Sequence, residues 1–156
     1  MTDSNPETPT SMDEILTRYV HRRERMAALH SANKTLLFAA LAEAGVTTVE
    51  IRFDGAGDSG QIEQIEARAE EDSVELPATQ VDTMRIDYAS IEPISEVKPL
   101  PDAIEALCYA LLETGHGGWE INEGAFGEFS FDVAAGTITL GFNQRIETSD
   151  YTEHHY

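Results

Sequence analysis

The chain has 156 residues, 41% of them hydrophobic and 25% charged, the size and make-up of one globular domain rather than a disordered segment. Its formal charge of −19 repels nucleic acid and anionic membrane and attracts cations and basic protein surfaces. No apolar stretch approaches the ~18 residues that span a bilayer, and the lone Cys108 excludes an internal disulfide and fits a reducing cytoplasm.

The charge is unevenly placed. Residues 1–34 carry five basic and five acidic side chains, so the whole excess falls on residues 35–156, where 5 basic residues face 24 acidic ones. Residues 1–10 are polar, lack a basic start and an apolar run, and read as a loose tail rather than a signal peptide. One α+β domain is expected over residues 11–146, followed by a polar tail, 147–156, with no apolar period.

Ser11 and Glu14 have capping-box spacing. Ile15, Leu16, Tyr19, Val20 and Met26 then recur at helical intervals, and a second apolar run, Leu36 to Ala44, stops at Gly45. The pattern predicts one long helix or two joined near Ser31–Lys34. Arg18, Arg22 and Arg25 share one face of it. Its apolar face is expected to cover a sheet, with the arginines against the acidic domain. The alternative is a docking helix for a second copy or another protein.

Val49, Ile51 and Phe53 alternate with Glu50 and Arg52, as in a half-buried strand. Residues 54–60 form a glycine-rich turn. A strand is expected over 62–68, although Ile62 and Ile65 also suit a short helix. Glu70 to Ser73 turn the chain again, and Val74 to Pro77 close this section. Residues 81–99, with Pro93 and Pro99, read as an irregular connection with at most one short strand, Met84–Tyr88. Pro101–Glu113 is a helix with Ile104, Leu107, Cys108, Leu111 and Leu112 on one face. Strands are expected at Trp119–Asn122, Gly127–Val133 and Thr137–Phe142, the last two joined by a turn at Ala134 to Gly136.

Leu37, Ala40, Leu41, Glu43, Gly45, Glu50, Ile51 and Gly57 recur 70 positions later as Leu107, Ala110, Leu111, Glu113, Gly115, Glu120, Ile121 and Gly127. A duplicated α-β-β unit would build a four-stranded antiparallel sheet covered by helices. Chance agreement of two such units is the alternative.

Several motifs fail on their chemistry. Gly55, Gly57 and Gly60 have dinucleotide-loop spacing, but Asp54 and Asp58 would sit beside a pyrophosphate. Gly57-Asp58-Ser59-Gly60 resembles the nucleophile motif of chymotrypsin-like proteases, yet no positioned base precedes it. Read as a calcium loop from Asp54, Ala56, Ser59 and Ile65 stand at the wrong positions. His116, His154 and His155 have no zinc spacing. What remains is an acidic rim near the expected turns, Asp54, Asp58, Glu120, Glu123 and Glu128, with Trp119 and Phe126 as candidate aromatic contacts. The plainer reading places the aromatics in the core and the acids in solvent.

FDGAGDSGQIEQI (53–65) and HGGWEINEGAFGEFSFDVAAGTITLGFNQR (116–145) resemble a family of bacterial and phage-associated domains of unknown function. Its members carry a GDSGQIE-like turn and a GGWENN-GAYGEF-FDV block, often in mobile genetic elements. The resemblance covers roughly residues 35–145. It implies that Asp58, Trp119, Glu120 and Gly127 belong to the shared signature; Ile121 departs from it. It carries no activity and no catalytic residue.

The expected function is a non-catalytic acidic protein-interaction domain in the cytoplasm that binds a basic protein, with no cofactor, no direct nucleic-acid contact and no membrane. In its sharper form it is an anti-restriction or anti-CRISPR inhibitor that presents carboxylates where a DNA-handling protein expects phosphates. The alternative is a carboxylate-based divalent-metal domain or metal-dependent hydrolase. The sequence leaves oligomeric state open.

Overall fold

Residues 12–43 contain neither glycine nor proline, and in the computed structural model they form one unbroken helix, α1 (Met12–Glu43). The structure describes residues 12–57, 59–86, 92–120, 123–146 and 151–155. The helix ends in a Schellman turn. Gly45, at φ 80°, lets its own N–H reach Ala42 O and the Val46 N–H reach Leu41 O, both at 3.0 Å. The expected cap, Ser11, lies outside the described residues.

The chain then alternates. β1 (Thr48–Ala56) buries Val49, Ile51, Phe53 and Gly55 and turns Glu50, Arg52 and Asp54 to the other side. β2 (Ser59–Ala69) and the three-residue β3 (Asp72–Val74) follow, then β4 (Gln80–Ile86) and β5 (Pro93–Pro99). After α2 (Leu100–Gly115) come β6 (Ala125–Asp132) and β7 (Thr137–Gln144). Five strands form one antiparallel sheet in the order β3-β2-β1-β6-β7, while β4 and β5 pair only with each other.

One face of the large sheet carries the core. Leu37, Phe38 and Leu41 of α1 and Leu100, Ile104, Leu107, Cys108 and Leu112 of α2 pack with Val49, Ile51, Phe53, Phe129 and Phe131. The rings of Phe38 and Phe131 lie 5.5 Å apart. Among the described residues no helix lies over the opposite face.

The helix-like spacing of Ile62 and Ile65 has a structural cause. Arg52 pairs with Gln64 and Phe53 with Ile62, so Glu63 is an extra residue, a β-bulge. The bulge returns both isoleucines to the helix side. There the Ile62 N–H donates to the Tyr109 hydroxyl of α2 at 2.8 Å.

Four expectations need correction. The sheet has five strands rather than four, because the tight turn at Glu70 (φ 60°) brings Val74 back beside Ala67 as an extra edge strand. Residues 81–99 are not an irregular connection but contain the β4–β5 hairpin, whose prolines sit at the two ends of β5, where a missing N–H costs least. Trp119 and Glu120 lie in a turn, with Gly118 at φ 80° breaking any extended run before them; residues 121–122 are outside the described set. The apolar residues of the first part of α1 do not cover the sheet: Met12, Ile15, Leu16, Tyr19 and Val20 are 46–67% exposed.

The order helix, strand, strand does recur, as α1-β1-β2 and α2-β6-β7. The 70-residue register does not survive. Gly57 turns the β1–β2 hairpin whereas Gly127 lies inside β6, and Glu50 is in a strand whereas Glu120 is in a turn.

The bulge contact makes a direct prediction. Tyr109→Phe keeps the ring but leaves the part-buried Ile62 N–H without its acceptor, so chemical denaturation should show a loss of about 1–3 kcal/mol. An unchanged midpoint would mean that the bulge does not depend on α2.

Candidate functional site

The glycine turns form a packing site. Gly55 and Gly60 are cross-strand partners, and together they leave a bare patch on the helix side of the sheet. The Trp119 indole fills it. A Cβ on Gly55 would lie 2.6 Å from Trp119 Cζ3, and one on Gly60 would lie closer still. Trp119 is 5% exposed and stands edge-on to Phe53 with centroids 5.5 Å apart. It is a core residue, as the plainer reading had it.

The described members of the acidic rim do not converge. Asp54 and Glu128 lie on the uncovered face, where Glu128 sits beside Arg52. Glu120 lies on the helix side against Gly60, and its Oε2 is buried with no hydrogen-bond partner among the described residues. Glu123 is exposed in the turn before β6, and Asp58 falls outside the described residues. Among the described residues no three His, Cys, Asp or Glu side chains gather to hold a metal.

Asp54 and Phe126 are brought together by a residue that sequence reasoning missed. Arg145 Nη2 donates to both carboxylate oxygens of Asp54 at 2.9 and 3.0 Å, and Nη1 donates to Gly55 O at 3.1 Å. The guanidinium lies 4.9 Å from the Phe126 ring centroid. This cluster ties the end of β7 to the β1–β2 turn. It neutralises Asp54 rather than presenting it.

A concavity lies elsewhere, between α1, α2 and the β4–β5 hairpin. It is a cleft of about 990 Å³. One wall is α1, with Arg18, Arg22 and Arg25 one helical turn apart. The other is the hairpin. Thr83 pairs with Glu96 and Arg85 with Ile94 in the register, so strand alternation sets Arg85, Glu96 and Lys98 on one face. Met26, Leu29 and Leu107 with the small Ala103, Ala106 and Ala110 make an apolar floor. Arg18, Arg22, Arg25, Arg85 and Lys98 are five of the ten Lys and Arg residues of the chain. Glu96, the one acid among the described residues that line the cleft, lies 3.4 Å from Arg85 and 3.7 Å from Lys98.

Two contacts hold the walls in place. The Asn33 carboxamide accepts from the Met84 N–H at 2.9 Å and donates to Met84 O at 2.8 Å. His30 Nε2 lies 3.1 Å from the Thr114 hydroxyl, linking α1 to α2. Since that hydroxyl gives its proton to Ala110 O, Nε2 carries the hydrogen of the bond. Burial pushes the His30 imidazole below its ordinary value. Cys108 is fully buried beside the core, and burial, aided by Glu105, pushes its thiol far up, so it offers no nucleophile.

Among the described residues no helix is long and apolar enough to cross a membrane. Residues 29–156 match the model of a family of unknown function (DUF6878), and the chain belongs to that family. The match begins near His30 and so takes in most of the fold but not the first part of α1. No curated protein and no solved structure matches the chain significantly.

The buried His30 fixes the sign of one pH dependence. Its folded-state value is lowered, so the unfolded chain binds the extra proton and stability falls as pH drops below about 6.5. His30→Gln, which keeps a polar group facing Thr114, should therefore lose less stability than the parent between about pH 7.5 and pH 5.5 in denaturant unfolding. Equal losses in both proteins would show that His30 does not couple protonation to folding.

Proposed function

We propose that this member of a family of unknown function is a non-catalytic binding domain whose recognition site is the cleft between α1, α2 and the β4–β5 hairpin, and whose ligands are anionic with an apolar body. One observation carries the reading: a chain of charge −19 places half of its Lys and Arg residues around a single apolar-floored cleft. Side chains scattered at random over this surface would not gather so. Guanidinium groups recognise carboxylate, sulfonate and phosphate oxygens through paired N–H donors. The floor supplies the area that desolvates the rest of the ligand. The remote acidic surface does not cancel this attraction, because charges beyond about 8 Å are largely screened at physiological salt.

The same segregation supports a second reading, the acidic surface as a site for a basic protein. Gathering the cations in one cleft leaves the remaining surface more acidic than the net charge implies. The uncovered sheet face carries Glu50, Glu66 and Glu128, though Arg52 and Arg68 interrupt them. The resemblance to phage- and mobile-element-associated domains favours a DNA-handling partner, of the restriction or CRISPR type, for that surface. A divalent-metal or hydrolase reading has no comparable support from the placement of its carboxylates.

A fluorescent anilinonaphthalene sulfonate and its uncharged parent test the cleft. The sulfonate should bind saturably at one site, and charge reversal by Arg22→Glu with Arg85→Glu should weaken it by about tenfold or more. Both side chains are exposed, so the variant should keep its melting temperature within a few degrees. The uncharged parent should not respond to the reversal. Sulfonate binding that is absent, or equal in parent and variant, would overturn the assignment.

A further inference from the structure

The two edges of the five-stranded sheet are built differently. β3 is three residues long and carries Asp72, with Glu70 and Glu71 in the turn before it and Glu75 just after it. So short and charged an edge is closed to a further strand. β7 is eight residues long, Thr137 to Gln144, and holds no charged residue and no proline in a chain of charge −19. Its register with β6 runs without a bulge. Charge, proline and bulge, the usual guards of an edge, are all missing from it. Every second residue of such a strand turns its N–H and C=O away from the sheet, about four of each here, and among the described residues nothing pairs with them.

Two details of β7 have no cause within a single chain. Gly141 sits in mid-strand, where glycine weakens a sheet. Its φ is not positive, and a Cβ on it would come no closer than 3.8 Å to Glu128 O. The fold of one chain does not require glycine there, whereas the close approach of another strand gives a reason for it. The second detail is burial. Ile138, Leu140 and Phe142 lie on the core side yet are only half-buried, although Ile138 and Leu140 pair with the fully buried Phe131 and Phe129 of β6. The core side of the sheet stays open at β7.

We infer that β7 is the interface between two copies of this chain, which pair antiparallel along their β7 edges and join two five-stranded sheets into one across a two-fold axis. The strand is complementary to itself. With Leu140 opposite Leu140 of the second copy, Ile138 meets Phe142 on the core side. On the wet side Thr137 meets Asn143, and Thr139 lies beside the bare Gly141. Apolar faces apolar, uncharged polar faces uncharged polar, and no charge is buried. An unrelated strand would find the same edge, but a second copy brings the matched pattern by construction. Because the β3 edge is closed, association stops at two instead of growing into a filament. The two bodies share one sign of charge and repel each other, so salt strengthens the pair. A pair of edges buries less than the ~1,600 Å² of a standard interface, so the dimer is weak. No residue of β7 lines the cleft, and the two readings are independent.

Sedimentation of the full chain from about 10 μM to about 1 mM tests the pairing. The mean mass should rise towards twice that of one chain and level there, and about 0.5 M salt should strengthen association by about threefold or more. Thr139→Asp, which sets an acid at an exposed site beside the two-fold axis, should weaken association by about tenfold or more. Gln64→Glu, the same change of charge at an exposed site on β2, should not. Both variants should melt within a few degrees of the parent. Hydrogen exchange on the parent should show the outward amides of β7 gaining protection as concentration rises, since in a lone chain they exchange freely. A chain that stays monomeric throughout would overturn the inference. So would a dimer that survives Thr139→Asp, weakens with salt or leaves those amides unprotected, and so would mass that grows past two copies without limit.

Discussion

The cleft depends on one side chain, Asn33, which bonds the backbone of Met84 as a neighbouring strand would. The need for it is geometric. A helix of 32 residues is about 48 Å long, whereas a strand of eight residues spans about 27 Å, so α1 outruns the sheet it covers. Its second half finds β1 and β6 beneath it. Asn33, in that second half, also meets the β4–β5 hairpin, while the side chains of the first half are almost all exposed. A two-stranded hairpin is marginal by itself, and its edge is a liability unless covered. The Asn33 carboxamide meets both needs. Leu100 N–H, bonded to Thr79 O at 2.8 Å, secures the other end where β4 begins and α2 starts.

The electrostatic design follows from that placement. The acidic excess lies on residues 35–156, and the N-terminal segment is neutral. Holding α1 against the hairpin at Asn33 sets Arg18, Arg22 and Arg25 on one wall of the cleft and Arg85, Glu96 and Lys98 on the other. Like charges at such range cost stability unless something anionic neutralises them. Glu96 offsets that cost beside Arg85 and Lys98, and Arg18, Arg22 and Arg25 have contacts of their own. At the glycine turns the opposite holds. Asp54 is satisfied by Arg145 and Trp119 is sealed under Gly55 and Gly60, so the most distinctive sequence in the chain serves packing.

Much of the framework was legible in the sequence. The alternation of Val49, Ile51 and Phe53 marked β1, which has one buried and one wetter face, and Gly45 marked the end of α1. The bulge at Glu63 hid the period of β2 by setting Ile62 and Ile65 three apart on one face. The hairpin was invisible for a different reason. Its inward positions include Thr83, Arg85, Glu96 and Lys98, polar because they border the cleft, so no apolar alternation announced a strand. Glycines around Trp119 were open to two readings, since a bare patch and a flexible loop need the same residue. The arginine spacing on α1 was visible, but its significance required the opposite wall, which is distant in sequence. Arg145 was likewise a lone cation whose partner, Asp54, lies 91 residues away.

The central claim is that Asn33 holds the hairpin against α1 and so builds the recognition cleft. Hydrogen exchange on the Asn33→Ala variant, read together with binding of the naphthalene sulfonate, tests it most directly. The β4–β5 amides that pair with each other should exchange at least about tenfold faster while those of β1 and β6 keep their protection, and sulfonate binding should weaken in parallel. Hairpin amides as protected as in the parent, with undiminished binding, would contradict the account.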